Sequence, residues 1–130
     1  MTDKIALFRQ IAAVETEIKD RSAGARSRLD RSASQRQCDG LEAGARTLRW
    51  LQQNEARIAA AAPCALPSCA VSMTRQVTAV ETELKDRRSG ARAKLSSAAA
   101  VYQRDGLEAA ANTLRWLQQN EASIKGALRQ

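Results

Sequence analysis

Apolar residues recur along the chain at spacings of three and four. Leu7, Ile11, Val14, Ile18, Ala25 and Leu29 fall in one sector when each residue is turned by about 100°, and Met73, Val77, Val80, Leu84, Ala91, Leu95, Ala98 and Tyr102 do the same further on. A second stripe carries Leu41, Gly44, Leu48, Leu51, Glu55 and Ile58, and returns as Leu107, Ala110, Leu114, Leu117, Glu121, Ile124 and Leu128. Its alternation of three and four is the seam of a coiled-coil-like bundle. The pattern predicts four amphipathic helices in the order long, short, long, short.

The stripes repeat because the residues do. Thr47-Leu48-Arg49-Trp50-Leu51-Gln52-Gln53-Asn54-Glu55-Ala56 recurs letter for letter from Thr113 to Ala122, and the register holds without a gap at an offset of 66 positions from Arg9/Arg75 to Ile58/Ile124. Such an echo marks a tandem unit. Gly24 and Gly90 are read as lying inside the long helices, since Ala25 and Leu29, or Ala91 and Leu95, continue the line of the residues before them. The reversal is placed instead at Asp39-Gly40 and Asp105-Gly106. There an aspartate can accept from the opening N–H groups of a new helix, Glu42 or Glu108 follows three residues later as in a capping box, and glycine eases the turn.

Pro63 and Pro67 interrupt the segment from Ala59 to Val71 and stop the preceding helix. The chain therefore divides into a helical hairpin at 1–62, an Ala/Pro/Cys linker at 63–71 and a second hairpin at 72–130. The fold expected is all-α: two tandem hairpins, each a long helix, an Asp-Gly turn and a shorter helix, packed as a pseudo-twofold four-helix bundle. The sequence leaves the packing direction of the hairpins and the oligomeric state open.

Composition narrows this further. Aromatic residues make up only 3% of the 130 positions, which disfavours sheet. Much of the apolar content is alanine, so one hairpin alone buries little and needs the other. The formal charge of +7 favours an anionic partner. No run approaches the roughly 20 apolar residues that span a bilayer, and the first residues lack the apolar core of a signal peptide, so a cytoplasmic protein with no membrane association is expected. Three cysteines, an odd number, speak against a disulfide framework, although Cys64 and Cys69 are close enough in sequence to bridge in an oxidising compartment.

Candidate chemistry is sparse. Without histidine, imidazole haem ligation, His-bearing zinc sites and Ser-His or Cys-His nucleophile pairs are excluded, and no phosphate-cradling glycine motif occurs. No cofactor, metal or catalytic residue is assigned. Glu55 and Glu121 interrupt an apolar seam, where a lone carboxylate is costly. They are expected to pair with Arg21 and Arg87, the other reading being two carboxylates that face each other and hold a metal or act as acid and base. Trp50 and Trp116 lie off the seam and are expected to pack between hairpins with each indole N–H satisfied, or else to form a partner-docking or base-stacking surface. Basic residues crowd the distal halves of the expected long helices. Of these, Arg26, Arg28, Arg31, Arg88, Arg92 and Lys94 form a candidate polyanion face, set against the simpler reading that they flank the seam and solubilise it. The sequence thus points first to a non-enzymatic interaction or scaffold protein that binds a protein partner or itself, and second to an RNA- or DNA-binding accessory protein.

Overall fold

The computed structural model describes residues 7–23, 29–54, 56–57, 72–89 and 95–128, with the side chains of 7, 21–23, 73, 89, 121 and 123–128 excepted. Among the described residues four helices are defined: α1 (Leu7–Ala23), α2 (Arg31–Gln53), α3 (Met73–Ser89) and α4 (Ser97–Leu128). Helix α1 packs on α2 and α4, α3 packs on the same two, and α2 meets α4 across the diagonal. Adjacent helices run antiparallel. Along α2 the contacts ascend through Glu42, Arg49 and Gln52 while on α3 they descend through Arg88, Glu81 and Thr74. The result is an all-α four-helix bundle of up-down-up-down topology.

Its core is one aliphatic layer drawn from both copies. Val14, Leu41, Leu48, Val80, Leu107, Leu114 and Leu117 are completely buried, and each large aliphatic side chain removed from water contributes about 1.5–3 kcal/mol.

The reversals fall elsewhere than the pattern predicts. Asp39-Gly40 and Asp105-Gly106 lie inside α2 and α4, whereas the chain turns between Ala23 and Asp30 and between Ser89 and Ser96. The first helix of each copy is consequently the short one, at 17 residues, and the second is longer, at 23 and 32. The capping residues are Asp30, whose Oδ1 accepts from the Ala33 N–H at 2.7 Å, and Ser96, whose Oγ accepts from the Ala99 N–H at 3.2 Å. Each satisfies an N–H group that has no partner within the helix. Ser72 opens α3 as expected, accepting from the Arg75 N–H at 3.3 Å.

Gly40 and Gly106 serve helix packing. A Cβ at Gly40 would lie 2.8 Å from Ala13 Cβ, and one at Gly106 would lie 2.8 Å from Ala79 Cβ. Both are closer than two methyl carbons can pack, so these glycines let the helices of each hairpin approach. The apolar line that suggested an unbroken first helix leaves the core after the turn: Ala98 and Tyr102 are exposed, and the buried neighbour of Tyr102 is Gln103.

Candidate functional site

The interior of the bundle contains a polar cluster as well as aliphatic groups. Gln10, Glu17, Asp20, Gln76, Glu83, Asp86, Arg87 and Gln103 are all buried, and six of them fall into pairs related by the repeat: Gln10/Gln76, Glu17/Glu83 and Asp20/Asp86. At the turn end of the bundle, Arg87 from α3 reaches α1. Its Nε donates to Glu17 Oε2 at 2.6 Å and its Nη2 to Asp20 Oδ2 at 3.1 Å. An Arg fork answering two carboxylates is the geometry that makes a buried ion group tolerable.

A glutamine clamps each glutamate from the other helix of its own hairpin. Gln37 Nε2 donates to Glu17 Oε2 at 2.8 Å and to the Ala13 carbonyl at 2.7 Å, and Gln103 Nε2 does the same to Glu83 Oε2 and the Ala79 carbonyl, at 2.8 and 2.7 Å. The amide thereby bridges the helices beside the Gly40 and Gly106 contacts. Burial holds the Glu17 carboxyl above its ordinary range, against the opposing pull of Arg87 and Gln37 and with some help from the Glu83 charge. Glu17 Oε1 accepts no hydrogen bond among the described residues.

The buried ion group expected from the sequence is therefore built from other carboxylates. Arg87 is engaged with Glu17 and Asp20; the side chains of Glu121 and Arg21 and the whole of Glu55 lie outside the described residues. A signal for Glu17 and Asp20 was present in their recurrence as Glu83 and Asp86 on the inward line of Val14 and Val80. Among the described residues no three metal-ligating side chains cluster so as to hold an ion.

The two tryptophans differ. Trp116 is buried in the core while Trp50 is only partly covered against it. Contrary to expectation, Trp116 Nε1 has no hydrogen-bond partner among the described residues.

Of the basic face, Arg31 and Arg88 are exposed near the turn end, and Arg26, Arg28, Arg92 and Lys94 lie outside the described residues. Along the sides of the bundle, guanidinium groups meet carboxylates of the next helix: Arg49 with Glu81, Arg115 with Glu15, and Arg88 with Glu42. The first two are the same contact written once in each copy. Such exposed pairs fix register more than they add stability.

A groove of about 400 Å³ opens between the start of α2 and the end of α3, lined by Leu29, Arg31, Ser34, Gln35, Cys38, Arg87 and Arg88. Cys38 is a free, buried thiol, and burial pushes its pKa up; Arg88 and Arg87 are the largest charges acting on it, ahead of Asp39 and Glu17.

No helix among the described residues is long and apolar enough to cross a membrane. The chain matches no protein-family model, no curated protein and no solved structure.

Proposed function

We propose that the chain is a non-enzymatic helical-bundle interaction protein, a cytoplasmic scaffold that offers the outer faces of its two hairpins to a protein partner or to a second copy of itself. The observation that carries this reading is the internal use of its chemical groups. Arg87, Gln37 and Gln103 answer Glu17, Asp20 and Glu83, and a substrate would reach Glu17, which is 0% exposed, only by opening the bundle. What the surface offers is apolar area: Phe8 at 64%, Tyr102 at 57% and Val101 at 47% exposure. A reduced cytoplasm suits the free Cys38 thiol.

Cross-linking followed by mass spectrometry tests the proposal, with a photoreactive residue at Phe8 or Tyr102. Adducts with one protein, or with a second copy of the chain, are expected. Adducts with nucleic acid alone would overturn it.

The second reading, an RNA- or DNA-binding accessory protein, is supported by the placement of the turns. With the reversals between Ala23 and Asp30 and between Ser89 and Ser96, the connecting segments that carry Arg26, Arg28, Arg92 and Lys94 in sequence join the helix ends that bear Arg31 and Arg88. Retention on an unspecific oligonucleotide that falls steeply with salt is the expected mark of this reading.

A further inference from the structure

The two copies agree closely in the core and disagree around the groove at the turn end. Arg31, Ser34, Gln35 and Cys38 stand where the second copy has Ser97, Ala100, Val101 and Arg104, and Arg88 stands where the first has Ser22. In copy two, Arg104 carries a long cationic side chain at the position that Cys38 leaves small, and it turns toward Glu108 on its own helix at 3.9 Å. The substitutions around the first-copy groove therefore combine a narrower residue at Cys38 with added cations and hydrogen-bond donors at Arg31, Ser34, Gln35 and Arg88.

We propose that this groove is a phosphate-binding site, formed by Arg31 and Arg88 at its rim, Ser34 and Gln35 on its wall and the Arg87 guanidinium at its floor. Among the described residues three arginines line it and no aspartate or glutamate does. The nearby acids are already engaged. Glu17 and Asp20 take Nε and Nη2 of Arg87; Glu42 meets Arg88 in an exposed pair that a stronger anion displaces; Asp39 accepts from Gln35 Nε2 at 2.8 Å; and Asp30 caps α2. Arg31 has no partner among the described residues and sits in the first turn of α2, where the helix dipole adds positive potential. Planar forks that donate in pairs, together with a hydroxyl and an amide, suit a tetrahedral oxyanion with many lone pairs better than a lone carboxylate. The volume of about 400 Å³ is within the usual range for a small-molecule site, roughly 300–1,000 Å³.

The proposal goes beyond the scaffold reading and does not depend on it. Its test uses the whole chain with inorganic pyrophosphate as probe, followed by backbone amide NMR. Shifts are expected at the first turn of α2 and the last turn of α3. The variants Arg31→Ser and Arg88→Ser import the residues that the other copy carries at those places, so the bundle should keep its melting temperature while the double variant loses at least ten-fold in pyrophosphate affinity. Shifts confined to the opposite end of the bundle, unchanged affinity in the folded double variant, or acetate binding as tightly as pyrophosphate would each overturn the assignment. A single-stranded oligonucleotide in the same titration separates the sources of phosphate. Much tighter binding that is lost in the same variants marks a nucleic-acid backbone, and binding no tighter than pyrophosphate marks a free phosphorylated ligand.

Discussion

Arg87 Nε lies 2.6 Å from Glu17 Oε2, joining the third helix to the first across the bundle with both side chains almost wholly out of solvent. The same guanidinium holds Asp20, so a single residue of the second copy closes off two carboxylates of the first. Replacing Arg87 by alanine should destabilise the fold by about 3–5 kcal/mol, because it leaves buried carboxylates without their counter-charge. Arg87→Lys should recover only part of the loss, since an ammonium cannot span both acceptors as the fork does. Urea unfolding of the three proteins measures this. A cost below 1 kcal/mol for the alanine variant would mean that the pair is not closed in solution.

Burial holds the Glu17 carboxyl above its ordinary value, so the folded protein binds that proton more tightly than the unfolded chain. The stability contributed by this group is then greatest below the unfolded pKa and declines as pH rises to the folded one. Comparing the native protein with Glu17→Gln by urea unfolding, the difference should move in favour of the native protein as pH is lowered from neutral into that window. Parallel pH profiles for the two would contradict the direction of the shift.

The caps locate the turns. Asp30→Ala removes the acceptor for the Ala33 N–H and should cost about 1 kcal/mol. Asp39→Ala lies within α2, where among the described residues the aspartate accepts only from Gln35 of the previous turn, and should stay within about 0.5 kcal/mol of the native protein. A larger loss at Asp39 than at Asp30 in thermal unfolding would return the reversal to the Asp-Gly site.

Gly40→Ala sets two effects against each other. Helix propensity favours alanine by about 1 kcal/mol, but the new Cβ meets Ala13 Cβ at 2.8 Å, and overpacking of this kind costs about 1–3 kcal/mol. Net destabilisation is expected, with partial recovery when Ala13→Gly is added. An additive double mutant would show that the two positions do not touch.

Cys38 should be the slow thiol. It is buried and its pKa is raised, and thiolate is the species that reacts. Under native conditions iodoacetamide should modify it far more slowly than in urea, as read from its peptide by mass spectrometry. Equal rates in the two conditions would place the thiol in solvent.

The helical class, the duplication and the bundle were legible in the sequence because they depend on aliphatic spacing, and Val14, Leu48, Leu114 and Leu117 occupy the core that spacing implies. The turns were misread for one physical reason. The seam of each second helix passes through Gln37 or Gln103, polar residues whose amides reach across to a glutamate and a carbonyl. A pattern scored on apolar residues alone takes that stretch for a break and recruits Tyr102, which is exposed. Asp-Gly then supplied a plausible turn where the glycine in fact makes room for Ala13 or Ala79. The Arg87 cluster escaped for a related reason: the arginine that answers Glu17 and Asp20 arrives from the other copy. Recurrence of the same polar residues in both copies was the available clue.

Each hairpin lays one helix on each helix of its twin, α1 on α4 and α3 on α2. Mutual recognition is therefore written into the helix faces, and the connector serves chiefly to raise the local concentration of one half around the other. A protease cut anywhere from 58 to 71 should leave a nicked protein that stays together and unfolds at a temperature that climbs with dilution reversed, as for any two-chain complex.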